Sequence, residues 1–277
     1  MRNPAGQTGN ELLRDEKQAL GHAVINLDVL SISIPLLVES RMCSGKVGKD
    51  VDRGRGSVEV DHLCQGIVSP TYRRLQSLPK FLGNYANGNL TSLRKVMLLW
   101  NEIENDPPAS FLESLGTYNV PVILEQRHVT SLSQSFHPSG NVNTNCVFLV
   151  EDDVILKPED IDSEYQVWKK QTKGRQRMLN FVAREARKQQ QQLIYNQPRE
   201  EYHMALTKAA FYHTDWMKAY WADDAVTTSL RENEDILVSF LRALFARVPP
   251  ISVRPEVMID FGGSDGISSG KGHLVYR

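Results

Sequence analysis

From about residue 63 onward, short apolar runs alternate with stretches in helical spacing. Leu63 to Val68 is a weak strand candidate. From Leu75 to Tyr85, the residues Leu78, Phe81, Leu82 and Tyr85 fall on one face of a helix. Val96 to Trp100 reads as an apolar strand, Pro108 to Leu115 as a short helix, and Val120 to Leu124 as another strand. Val147 to Val150 is continuously apolar, the pattern of a strand buried on both faces. Ile161 to Trp168 predicts a helix, and Pro158-Glu159-Asp160 just before it places acids at the positive end of the helix dipole. Met178 to Val182 is a short strand, and Met204 to Tyr212 reads as partly buried. Ile236 to Phe245 is a helix with a nearly continuous apolar face, stopped by Pro249-Pro250, and Ile251 to Val253 is a late strand. Alternation of this kind predicts an α/β fold, with a mainly parallel central sheet flanked by helices.

The rest of the chain carries less pattern. Residues 1–60 are poor in periodicity, and Gly45, Gly48, Gly54 and Gly56 interleave with Lys46, Lys49, Arg53 and Arg55. A flexible basic segment is expected there, with the folded domain over residues 61–277. The tract Lys188-Gln189-Gln190-Gln191-Gln192 predicts a solvated loop or helix face, and the glycine-rich tail from Gly262 to Gly272 a flexible end.

Composition narrows the functional classes. Thirty-two basic residues against 33 acidic ones give no electrostatic case for nucleic acid or an anionic membrane. Cys43, Cys64 and Cys146 are widely spaced and odd in number, so neither a disulfide framework nor a cysteine metal site is expected. The best apolar run, Ala23 to Val38, contains Asn26, Asp28 and Pro35. It falls short of the ~18 apolar residues a membrane span needs, and the first residues lack the pattern of a signal peptide. Asn89-Leu90-Thr91 is a glycosylation sequon if the chain is secreted.

The candidate chemistry sits where the most apolar strand ends. Glu151, Asp152 and Asp153 follow Val150 directly. Burying three adjacent carboxylates without a partner would cost several kcal/mol each. A hard divalent cation with oxygen ligands would offset that charge, and ligands of open α/β sheets bind outside the carboxyl ends of the strands. A solvated acidic turn is the alternative that the triplet alone leaves open. Glu234-Asp235 adds two more carboxylates at the start of a helix, where the dipole favours acids without any function.

The surrounding blocks resemble a known family. Glu232 to Leu241 (ENEDILVSFL), followed by Val248-Pro249-Pro250-Ile251, is similar to the "NCEDILMNFL…PPI" block of exostosin-type glycosyltransferases. Tyr202 to His213 (YHMALTKAAFYH) resembles that family's "YSMVLTGAAFYH" segment. Thr144 to Asp153 resembles the segment carrying its DxD motif, Thr71 to Arg74 its "TYNR" and Val96 to Asn101 its "VVWNN". The blocks keep the family's order over roughly residues 66–277.

The resemblance implies a GT-A type nucleotide-sugar-binding fold and a retaining sugar transfer from a UDP-sugar, favoured as a UDP-N-acetylhexosamine, with Mn²⁺. The acceptor would be a glycan or glycoconjugate, and the setting the secretory pathway, Golgi or endoplasmic reticulum. Asp153 matches the metal-binding acid of the DxD motif, with Glu151 at its first position and Asp152 between them. Asp235, beside Glu234, matches the acid of the catalytic pocket, and Arg74, Asn101 and Arg277 match residues around the nucleotide and its diphosphate. A divalent ion across the diphosphate would offset the charge that develops on the leaving group.

Several positions depart from the family's pattern. The "NSLNNRF" loop is Thr130 to Phe136 here, with Ser135 at the arginine position, and the glycine of "LTGAAFYH" is Lys208. The cysteine before the acidic pair is Asn233, and its partner would lie beyond Arg277, which implies a domain cut short at its C-terminus. These departures leave a second reading open, a catalytically weak exostosin-like module that binds glycan or a protein partner.

Overall fold

A computed structural model describes residues 65–262, apart from 138, 143, 173–176, 190–191, 197–201, 203, 223–233, 236, 240 and 242–249. The chain divides into two units, Met1–Gly56 and Ser57–Arg277. The expectation for residues 1–60, the glycine-rich tail beyond Gly262 and the role given to Arg277 all lie outside the described residues.

Strands β1 (Gln65–Thr71), β2 (Leu93–Trp100) and β3 (Val122–Gln126) pair in parallel, and β4 (Cys146–Val150) joins the other side of β1 in the same sense. Next to β4 comes β10 (Ala209–His213), which runs antiparallel both to it and to β6 (Leu179–Asn180). The edge strand β11 (Ile251–Ser252) is parallel to β6. The sheet order is therefore β11-β6-β10-β4-β1-β2-β3, with β10 alone reversed. This is the mixed α/β architecture expected, with a mainly parallel sheet. Helices α1 (Leu78–Tyr85) and α2 (Ala109–Ser114) lie in the β1–β2 and β2–β3 connections, and α3 (Pro158–Thr172) follows β4.

The continuous apolar run of β4 reflects its central position. Every residue from Cys146 to Val150 is buried, because both faces of the strand are covered. Cys146, Phe148 and Val150 join a core with Leu78, Phe81, Leu82 and Tyr85 of α1 and Ile161, Tyr165 and Trp168 of α3. Phe148 stacks on Phe211, its cross-strand partner in β10, at 4.5 Å between ring centroids. Tyr212, the next residue of β10, stands 5.4 Å from Phe136, which stacks at 4.9 Å on Tyr220 of α4 (Asp215–Tyr220). Alternation along β10 thus feeds two separate aromatic clusters.

Two small sheets complete the described fold. Strand β5 (Val154–Leu156) pairs antiparallel with β12 (Met258–Asp260), and β7 (Ala183–Gln189) pairs with β8 (Gln192–Asn196) and with β9 (Met204–Ala205). The β7–β8 hairpin corrects the reading of the polar tract. Lys188, Gln189 and Gln192 belong to paired strands, not to a loop or helix face, because backbone pairing decides where side-chain pattern is silent. Helix α1 also begins later than Leu75, with Ser77 as its N-cap and Pro79 in its first turn.

Candidate active site

Parallel strands bring their carboxyl ends to one edge of the sheet. Thr71 closes β1, Asn101 follows β2, and Glu151, Asp152 and Asp153 follow β4. The amide of Asn101 donates to the carbonyl of Thr71 at 2.9 Å, locking the first two ends together. Because β10 runs the other way, its preceding residues Thr207 and Lys208 arrive at this same edge. The amide of Glu151 donates to the carbonyl of Lys208 at 3.0 Å, and that of Val154 to the carbonyl of Glu151 at 3.1 Å, so the triplet occupies a tight turn.

A small cleft, partly open to solvent, lies over this edge. Its walls include Thr71, Arg74, Asn101, Glu151, Asp152 and Thr207. Ser135 and Glu234 also reach it, so both the serine that replaces an expected arginine and one of the two helix-start acids face the same space. Glu234 and Asp235 are helical and buried, as are Leu237, Val238, Ser239 and Leu241 further along the same segment. Among the described residues the cleft lining contains Glu234 and not Asp235.

Asp152 and Asp153 are buried, Glu151 is half-buried, and protein cations compensate their charge. Asp152 and Asp153 are each 2% exposed. Nη1 of Arg74 lies 2.8 Å from Asp152 and 2.7 Å from Asp153. The backbone makes this possible at Arg73, whose φ of 56° lies in the left-handed region that a non-glycine residue rarely visits. That turn sends Arg73 out to Glu104 at 3.1 Å while Arg74 points in. Nζ of Lys208 lies 3.3 Å from Glu151, 3.7 Å from Asp153 and 2.9 Å from Asp260.

These contacts shift the titration of the groups involved. Burial pushes the Glu151 carboxyl up, Lys208 opposes it and Asp153 adds to it, for a net value of about 7. Burial also raises Asp152 against the pull of Arg74. For Arg74 and Lys208 burial works toward the neutral form, but the surrounding carboxylates outweigh it and both are raised. Asp260 opposes burial through Lys208 and the Gly262 amide, and its carboxyl is lowered. Four carboxylates against two cations leave the cluster formally at −2.

Asp260 and Gly262 were not foreseen. Strand β12 brings Asp260 opposite Val154, and the amide of Phe261 donates to the carbonyl of Asp153 at 3.0 Å. A Cβ on Gly262 would stand 2.8 Å from Oδ2 of Asp153 and 3.1 Å from Oδ1 of Asp260, so a side chain here would push against both carboxylates. The signal available in the sequence was Asp260-Phe261-Gly262-Gly263, which a reading of the tail as loose linker passes over.

The site suits a divalent cation in its donor chemistry. Its ligands are hard oxygens, and Oδ2 of Asp152 and Oδ1 of Asp153 are buried without a hydrogen-bond partner. Among the described residues, however, no group of three such side chains is arranged around an ion position. The ammonium of Lys208 stands between the carboxylates instead. The side chain of Asn101 is also buried with neither its oxygen nor its nitrogen hydrogen-bonded, on the wall of the cleft. A buried amide of that kind is a prepared contact for a polar ligand.

A cleft beside an acidic turn at the carboxyl ends of parallel strands agrees with the resemblance drawn from the sequence. The family described as "Glycosyl transferase family 64 domain" matches residues 66–277. The chain belongs to this glycosyltransferase family. Exostosin-like 2 of Homo sapiens is 24% identical over 265 residues, covering 87% of this chain and 78% of that protein. The Exostosin-like-3 homolog of Caenorhabditis elegans is 27% identical over 168 residues, covering 58% of this chain and 20% of that protein. The chain therefore spans only a fifth of the nematode relative's length. Among solved structures, S. aureus TarS 1-349 is similar at 13% identity and a TM-score of 0.43, over 68% of this chain and 57% of that one.

Proposed function

We propose that this family 64 domain transfers a sugar, favoured as an N-acetylhexosamine, from a UDP-sugar to a hydroxyl of a glycan or glycoconjugate, with retention at the anomeric carbon. The observation that carries the reading is the buried, unpartnered amide of Asn101 in a cleft floored by Glu151 and Asp152. Family membership supplies the reaction class. Placement in the secretory pathway belongs to the same proposal, and among the described residues no helix is long and apolar enough to cross a membrane.

The roles follow from position. Arg74 and Asn101 line the cleft and are proposed to contact the nucleotide, and Arg277 is proposed for the diphosphate on the resemblance alone. Asp153 and Glu151 would hold Mn²⁺, which when bound neutralises charge on the departing diphosphate. Asp235, with Glu234 in the cleft wall, stabilises positive charge at the anomeric carbon and binds the acceptor hydroxyl. The buried surroundings strengthen these interactions by excluding water.

Calorimetric titration with UDP, with and without Mn²⁺, tests the reading. Mn²⁺-dependent binding is expected, and failure of UDP to bind under either condition would overturn it. The specific observation behind a second reading is Lys208, which fills the centre of the carboxylate group. A binding module without transfer activity would show glycan affinity but no sugar release from any UDP-sugar.

A further inference from the structure

Arg73 combines an unfavourable backbone with a long cationic side chain, and the turn around it explains only the first. With φ at 56°, the chain turns so that Arg74 reaches Asp152 and Asp153. Glycine adopts that conformation freely, and asparagine adopts it more readily than most residues. Either would serve a turn needed for its direction alone. An arginine there carries a backbone cost, and outliers of this kind persist where the side chain has a task.

The side chain makes two contacts, and both lead to residues around the cleft. The guanidinium lies over the ring of Tyr72, with Cζ 4.9 Å from the ring centroid, within the range of a cation–π contact. Tyr72 lines the cleft. Nη2 of Arg73 lies 3.1 Å from Glu104, in the loop that follows Asn101. That loop is firmly based, because Nε1 of Trp100 donates to the carbonyls of Glu102 and Asn105 at 3.0 and 2.8 Å. The side chains of Arg73 and Glu104 are 50% and 71% exposed, so their pairing adds little to stability. What the two contacts supply is geometry. They tie the turn after β1 to the loop after β2, and they cover one side of the Tyr72 ring.

We infer that Arg73 is a positioning residue for the donor nucleotide: held by Glu104, it fixes the Tyr72 ring as the wall against which the planar base of the nucleotide rests. The inference rests on the nucleotide-sugar reading above. Every base presents a flat face on which an aromatic ring can stack. A ring clamped before the ligand arrives has less freedom to lose on binding, so Arg73 strengthens binding without touching the ligand. Asn101, on the lining of the same cleft, adds an unpaired donor and an unpaired acceptor for the polar edge of the base. The strained backbone at Arg73 is then stability given up for a prepared site.

The test is calorimetric titration of UDP at one fixed Mn²⁺ concentration, with thermal melting of the same samples. The proteins are the wild type, Arg73→Asn, Arg73→Lys, Tyr72→Leu and the double variant Tyr72→Leu/Arg73→Asn. Arg73→Asn should melt at a higher temperature, because asparagine accepts the left-handed backbone, and yet bind UDP about fivefold more weakly, because the clamp is gone. A role in stability alone would move both readouts together or leave affinity untouched. Arg73→Lys keeps a cation for the ring and should recover part of the affinity without the rise in melting temperature. In the Tyr72→Leu background, Arg73→Asn should cost no further affinity. Unchanged UDP affinity in Arg73→Asn would overturn the positioning role, and so would a loss that persists when the Tyr72 ring is absent. Weaker binding together with a lower melting temperature would make Arg73 a structural residue and overturn it too. Failure of the wild type to bind UDP would overturn the nucleotide-sugar reading and this role with it, whereas wild-type binding that Arg73→Asn leaves intact would remove this role alone.

Discussion

Glu151 and Lys208 are joined twice across the β4–β10 pairing. The amide of Glu151 donates to the carbonyl of Lys208 at 3.0 Å, and the Lys208 ammonium lies 3.3 Å from the Glu151 carboxylate. The relationship follows from strand direction. The reversed β10 reaches the sheet edge at its start, just where β4 reaches it at its end. A cation and the acidic turn are thereby placed together by topology, although about 57 positions separate them in the chain.

Arg74 holds Asp152 and Asp153 at 2.8 and 2.7 Å, and both carboxylates are buried. Removing one partner of a buried pair leaves uncompensated charge, which costs far more than breaking an exposed pair. Arg74→Met should therefore lower stability by about 3 kcal/mol in chemical denaturation. Adding Asp152→Asn should recover part of that loss. A cost below about 1 kcal/mol for the single variant would mean that the pair behaves as a surface contact.

Asn101 gives the opposite expectation. Its amide is fully buried, but neither polar atom of the side chain is hydrogen-bonded, so truncation breaks no bond within the protein. Asn101→Ala should change stability by less than about 1 kcal/mol while weakening UDP binding roughly tenfold, the value of one lost polar contact. Calorimetry and thermal melting on the same preparation separate the two effects. A large loss of stability with unchanged UDP affinity would assign the residue to packing.

Asp153 and Asp235 should fail in different ways. Asp153→Ala removes the proposed metal-binding carboxylate, and Mn²⁺-dependent UDP binding should disappear with it. Asp235 is buried next in sequence to Glu234, which lines the cleft. Asp235→Ala should keep UDP binding and lose sugar transfer by a factor of about 100 or more, the scale of a lost electrostatic stabiliser. Equal loss of UDP binding in both variants would contradict the separation of roles.

Much of this site was legible before the fold was known, because its residues sit at strand ends that apolar runs mark. Val147 to Val150 pointed to Glu151–Asp153, whereas Asn101, at the end of the strand Val96 to Trp100, was marked by the family resemblance. The burial of Arg74 was not legible, since an inward arginine depends on the unusual backbone of Arg73 beside it. Asp260 was missed for a different reason. A three-residue strand carries too little alternation to stand out, and only its pairing with β5 gives it meaning. The β7–β8 hairpin escaped similarly, because a polar tract has no apolar face to fix a period. Lys208 stood out as a departure from a resembling motif, but its three carboxylate neighbours could not be read from one segment.

Tyr85 links the helical core to the acidic turn. Its hydroxyl donates to the carbonyl of Val154 at 3.0 Å and accepts from the amide of Leu156 at 3.1 Å, in a fully buried position. Burial also raises the phenol's pKa well above its usual value, so the hydroxyl stays protonated and available as a donor. Strand β5 is only three residues long, and its other edge is taken by β12. The tyrosine thus satisfies backbone groups that a longer sheet would have paired. Tyr85→Phe keeps the ring packed against Phe81, 4.7 Å away, but orphans one carbonyl and one amide. A loss of about 2 kcal/mol is expected in chemical denaturation, the scale of desolvated and unpaired polar groups. Because β5 begins immediately after Asp153, hydrogen exchange at Val154 and Leu156 should also quicken. Unchanged exchange at those two amides would mean that β12 alone holds the turn.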